Sequence, residues 1–154
     1  MSMELYALSE RRLNSIAEWQ AEIDRLGWPL KIDDNADFSK IGGFLPATWE
    51  GQRTGFECDH WPIDDVAEGY PGVVINPMFR HVLAFRWGNL DECVAAVHAC
   101  AAYASGAIGQ IRDCEQGKVI SSQEAADQAR QAARFLPQAK RLMQEQLERL
   151  KSQK

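Results

Sequence analysis

The segment formed by residues 79–118 most constrains what this chain can fold into. Residues 79–87 alternate and then run almost continuously apolar, which predicts a strand. Residues 90–104 have the composition and spacing of a helix, and residues 107–113 predict a second strand. A strand, a helix and a strand of these lengths form a crossover unit, whose two strands should lie parallel, or nearly so, in one sheet. The unit holds no catalytic motif, so it predicts a fold and not a reaction.

The rest of the chain adds a helix at each end and more strands. Apolar residues at spacings of three and four predict an N-terminal helix, capped by Ser9 and ended by Gly27. A second helix is capped by Ser121 and should kink at Pro137, which sits within its apolar stripe. Strands are predicted at residues 30–32, 44–49, 54–61, 73–76 and 118–120.

These elements predict an α+β fold. We expect a single domain over residues 1–154, with a mixed or antiparallel sheet of about five strands. The crossover unit, the N-terminal helix and the long C-terminal helix kinked at Pro137 complete it. A length of 154 residues fits one domain on size alone.

The composition of the chain indicates the cellular environment in which the protein works. No apolar run approaches the roughly 20 residues that cross a bilayer, and the N-terminus lacks the pattern of a secretory signal. The four cysteines follow no zinc-like or redox spacing. We therefore predict a cytoplasmic protein with reduced thiols, no cofactor, no metal and no membrane contact.

Charge is unevenly distributed along the chain, whose formal net charge is −5. Residues 54–79 contain no Lys or Arg and carry five carboxylates, which argues against nucleic acid as a partner there. Strand alternation places Trp61 on the same face as two of them. An aromatic among carboxylates can anchor a cationic partner. The predicted partner-binding residues are Glu57, Asp59, Trp61, Asp64, Asp65 and Glu68.

Histidine and cysteine residues offer weaker alternatives. Cys58 and His60 point the same way on their strand, and a metal site would need His81 or Cys114 as further ligands. A Cys58, His81 and Asp59 nucleophile system is disfavoured, because acidic surroundings raise a thiol pKa. No catalytic residue is therefore assigned. An enzyme or ligand-binding domain with a pocket near His60 and His81 stays open as the alternative function.

One further histidine and the end of the chain complete the candidates. His98 falls on the narrow polar side of its predicted helix, which indicates a surface residue rather than a general base. The apolar stripe continues beyond Pro137 as far as Leu150. If this part of the helix projects from the body, a homodimer through the C-terminal helix would cover it.

Two pieces of the sequence carry a family resemblance. The first is GGFLPATWEGQRTGFECDHW at residues 42–61. The second is the run from Phe85 through the alanine-rich helix to Asp113, Gly117-Lys118 and Glu124-Ala125-Ala126. Together they resemble small bacterial α+β proteins of the polymorphic-toxin immunity type. The resemblance implies a protein that binds and neutralises a cognate protein toxin, and it carries over no catalytic residue.

Overall fold

The computed structural model describes residues 3–69 and 75–153, which form an α+β fold around one antiparallel sheet. Seven strands lie in the order β2-β3-β4-β5-β1-β6-β7, with helices between and after them. The elements are β1 (Glu4–Ser9), α1 (Ile16–Arg25), β2 (Leu30–Ile32), β3 (Phe44–Trp49), β4 (Gln52–Pro62), α2 (Ile63–Gly69), β5 (His81–Arg86), α3 (Leu90–Gly106), β6 (Gly109–Asp113), β7 (Lys118–Ser121) and α4 (Ser122–Ser152).

The predicted crossover unit is present as β5, α3 and β6. Both strands pair antiparallel with β1, which lies between them, so β5 and β6 run parallel to each other as predicted. Strand β1 was not predicted, and the expectation of about five strands is wrong by two. Ser9 ends β1 instead of capping a helix, and Ser15 caps α1 by accepting a hydrogen bond from the Glu18 amide at 3.1 Å. A central place in the sheet gives this short segment backbone partners on both edges.

Two other predictions need correction between β4 and β5. No helix or strand was predicted between the strands at residues 54–61 and 73–76, but Ile63–Gly69 form the short helix α2. The strand predicted at residues 73–76 falls partly outside the described residues, and Ile75 and Asn76 are not in a strand. One side of α2 carries Val66, which is buried against the sheet.

The sheet has two unlike faces. Helices α1, α3 and α4 cover the main core, whose centre is the fully buried Trp19 of α1. Four aromatic rings meet Trp19 edge-on, with centroids 5.6–6.2 Å away: Phe38, Phe56, Phe85 and Tyr103. Aromatic pairs in this arrangement favour one packing over others. A smaller cluster lies on the opposite face, which we call the outer face, beneath α2.

Helix α4 begins in the core and leaves it. Ala125, Ala126 and Ala129 are buried, whereas every residue from 140 to 153 is exposed. The helix continues through Pro137 as one element, and the kink stays a prediction. An ion pair at 2.6 Å joins Lys140 of α4 to Asp91 of α3. None of the helices in the described ranges is long and apolar enough to cross a membrane.

Candidate functional site

The outer face of the sheet carries the predicted partner-binding residues of β4. Phe56 and Cys58 point into the main core, so the alternation places Glu57, Asp59 and Trp61 on the outer face, as predicted. Trp61 packs on Tyr6 of β1, with ring centroids 5.5 Å apart. The indole is therefore half-buried on its own sheet and offers only part of its surface to a partner.

Arg86, which is not one of the predicted partner-binding residues, lies among these carboxylates. Strand pairing sets Arg86 of β5 opposite Glu57, and its guanidinium Nη2 lies 3.1 Å from Asp59 Oδ2. The other oxygen of Asp59 accepts a hydrogen bond from the Gly43 amide at 2.9 Å. The Arg86 guanidinium also lies 5.9 Å from the Trp61 ring centroid. Asp59 is thus engaged within the chain, and it joins β4 to its neighbours.

Three of the predicted carboxylates remain accessible. Glu57 on β4 and Asp64 and Asp65 on α2 are exposed. Within the described ranges, no Lys, Arg or His nitrogen forms an ion pair with any of them. Glu68 belongs to α2, but its side chain lies outside what the structure describes. We call Glu57, Asp64 and Asp65 the acidic surface.

The two histidines of the alternative site lie outside five cavities found among the described residues. His60 Nε2 lies 2.9 Å from the Phe38 carbonyl oxygen, and its ring meets the Phe38 ring edge-on at 5.0 Å. Burial lowers the pKa of His60. Neither His60 nor His81 lines any of these five cavities: those beside β3, beneath α4, near Gly42, beside Pro137 and between α4 and the body.

The cysteines resemble buried apolar residues more than reactive ones. Cys58 and Cys100 are buried, and Cys93 and Cys114 are half-buried. Cys58 is completely buried, and burial raises its pKa well above the ordinary value, with Cys100 and Asp59 adding to the effect. A thiol in such a site is a poor nucleophile. Among the described residues, no group of three or more His, Cys, Asp or Glu side chains is arranged to hold a metal ion.

His98 is not a surface residue, contrary to the prediction. Only 1% of it is exposed, because α4 and β3 cover the side of α3 that the pattern left polar. The imidazole lies against two indoles, with ring centroids 4.7 Å from Trp28 and 4.5 Å from Trp49. Its Nδ1 lies 2.7 Å from the Val94 carbonyl oxygen. Burial lowers the pKa of His98 to about 4, so the ring is neutral at pH 7.

A groove between α4 and the body was not predicted as a site. It has a volume of about 720 Å³ and is lined on one wall by Met3, Trp87 and Leu90. Met143 and Leu147 of α4 form the other wall. The apolar stripe beyond Pro137 was the sequence feature that pointed to this groove. The sequence could not show that the stripe faces the body, because that depends on how α4 packs in the fold.

Comparisons of the chain with protein-family models, with curated proteins and with solved structures gave no match.

Proposed function

We propose that this chain is a protein-binding module of the immunity type, which neutralises a cognate protein toxin by docking it on the acidic surface. The observation that carries the proposal is the exposure of Glu57, Asp64 and Asp65 without ion pairs among the described residues. Charges that stabilise a fold are usually paired, whereas unpaired charges of one sign steer a partner of opposite charge.

The surroundings of the acidic surface favour a protein as the partner. The three carboxylates extend from a strand to a helix, so their spacing suits a broad contact rather than a single small ion. Trp61 lies beside them and can stack on a basic side chain, as Arg86 already does from within the chain. Asp59 is held beside the acidic surface by its ion pair with Arg86 and by a second hydrogen bond, from the Gly43 amide, so this part of the surface is fixed in position.

The alternative, an enzyme or ligand-binding domain centred on His60 and His81, has less support. His60 is committed to the Phe38 carbonyl, and it would have to break that contact to act on a substrate. We keep it as the outcome to which failure of the binding experiment would point. A cytoplasmic location fits a protein that meets a toxin inside the cell that makes it, and it belongs to the same proposal.

The proposal is tested by parallel affinity capture. The unsubstituted chain and the Asp64→Lys, Asp65→Lys variant are immobilised and exposed to lysate of the source cells at low salt. A matched control carries Glu10→Lys and Asp34→Lys, two exposed positions away from the acidic surface. Each double variant raises the net charge by four, from −5 to −1. Any difference in binding between the two variants is therefore due to the position of the substituted charges and not to the net charge.

We expect one basic protein to bind the unsubstituted chain and the control variant, and to be lost from the Asp64→Lys, Asp65→Lys variant. Expression of that protein alone should arrest growth of a host, and co-expression of this chain should relieve the arrest. The proposal fails if the three immobilised proteins capture the same set. It also fails if the captured protein is harmless or its toxicity is not relieved.

A further inference from the structure

The distal part of α4, residues 138–153, presents apolar side chains that its own chain does not cover. Large side chains there and just before it are more than half exposed: Phe135 58%, Leu142 54%, Met143 53%, Leu147 55% and Leu150 61%. A soluble monomer rarely leaves such a contiguous arc uncovered. The arc also continues onto the body through the groove, whose walls include Met3 and Trp87.

We infer that a second copy of this chain covers the arc, with the two distal helices packed against each other and against the two grooves. The contact would be isologous, because the same face of each copy meets its equivalent. This inference is independent of the acidic surface, which lies on β4 and α2. Neither proposal requires the other.

The size of the uncovered surface fits a dimer. Met3 and the five side chains of the arc are each about half exposed. Half of the accessible area of a large apolar side chain is about 100 Å², so each copy exposes six such areas. Two copies would then bury about 1,200 Å², the lower end of the range for specific protein interfaces. The distal helix is about 20 Å long from residue 140, which is enough for several turns to pair.

Charge favours a second copy over a membrane. Residues 138–153 carry four basic side chains, but Glu145 and Glu148 lie among them, whereas helices that lie on lipid have a mainly basic polar face. The groove wall, by contrast, bears Asp91. Asp91 is already paired with Lys140 of the same chain, which lines the groove beside it. The groove therefore offers a second copy mainly apolar surface.

Sedimentation equilibrium of the full chain at about 50 µM tests the inference, because this concentration lies well above the dissociation constant of a dimer of roughly micromolar affinity. We expect twice the 17.3 kDa mass of one chain. The Met143→Glu, Leu147→Glu variant should sediment as a single chain, since two charges would enter the apolar contact. The control is Arg141→Gln with Ser152→Glu, which lowers the net charge by the same two units on the opposite side of the helix and should leave the dimer intact.

Circular dichroism checks that each variant is folded, and the substituted side chains are exposed enough for folding to persist. A mass of one chain for the unsubstituted protein overturns the inference, whatever the variants do. A folded Met143→Glu, Leu147→Glu variant that keeps the double mass also overturns it, because the contact would then lie elsewhere.

Discussion

Replacing the buried imidazole of His98 should change how stability depends on pH. The ring is neutral in the folded chain because burial lowers its pKa to about 4; the nearby Arg130 lowers it further, against the opposing hydrogen bond to Val94. In the unfolded chain the pKa returns to about 6.5. The unfolded state therefore binds a proton that the folded state does not, over the whole interval from pH 6.5 to about 4.

The sign and size follow from linkage. The contribution of His98 is complete above pH 6.5 and is lost as the pH falls towards the folded pKa. A difference of about 2.5 pKa units corresponds to about 3 kcal/mol in total, of which about 2 kcal/mol is lost between pH 7 and pH 5. Working above pH 5 keeps carboxylate protonation small. The lowered pKa of His60 acts in the same direction, so only a difference between variants isolates His98.

Urea unfolding at pH 7 and pH 5 measures the effect. The His98→Asn variant keeps a short amide that can donate to the Val94 carbonyl, but it cannot titrate. It should be less stable at pH 7 through lost packing between the two indoles. Its unfolding free energy should, however, fall by about 2 kcal/mol less than that of the unsubstituted chain between the two pH values. Ile111→Val, a change in the buried core that removes no titratable group, is the control and should leave the difference unaltered. Equal pH dependence in the His98→Asn variant and the unsubstituted chain would refute the reasoning.

Three further predictions concern packing and redox state. Gly55→Ala should lower the free energy of unfolding in urea by about 2 kcal/mol. Gly55 has φ +154°, and a Cβ there would meet the Phe44 ring and lie 2.6 Å from the Leu45 carbonyl oxygen. An unchanged unfolding midpoint would contradict this. Trp87→Phe should stay within about 1 kcal/mol, since its buried Nε1 has no hydrogen-bond partner among the described residues. Trp19→Phe should cost about 2 kcal/mol more, because it removes the hydrogen bond from Nε1 to the Ala99 carbonyl oxygen and leaves a cavity among the surrounding rings; equal costs would count against the assignment. Chelator and reductant should leave the melting temperature unchanged, and a fall of several degrees with either would reveal a metal or a bridge.

The fold followed from the sequence where local pattern decides structure. The apolar periodicity and the cap at Asn89 determine α3: Asn89 Oδ1 accepts a hydrogen bond from the Glu92 amide at 2.9 Å. Strand β1 escaped prediction because its six residues carry no turn signal and their buried place depends on two strands that come much later in the chain. Helix α2 was not predicted, because a single buried valine in a short helix does not produce a detectable apolar periodicity.

The site was less predictable, because charge and exposure depend on tertiary contacts. The acidic run was visible in the sequence, but the neutralisation of Asp59 was not. It depends on β4 pairing with β5 in the register that sets Arg86 beside it. Had that pairing been assumed, the alternation of Val82, Ala84 and Arg86 would have predicted the contact. His98 was misplaced for a similar reason, since Trp28 and Trp49, which cover its side of α3, come from distant parts of the chain.

The most direct test of the proposed function is the association rate of the captured basic protein with this chain, measured by surface plasmon resonance at low and high salt. We expect the Asp64→Lys, Asp65→Lys variant to associate about tenfold or more slowly at low salt, and the difference to shrink at high salt as the charges are screened. The Glu10→Lys, Asp34→Lys control should keep most of the original rate. Equal association rates for the unsubstituted chain and the Asp64→Lys, Asp65→Lys variant at low salt would contradict docking on the acidic surface.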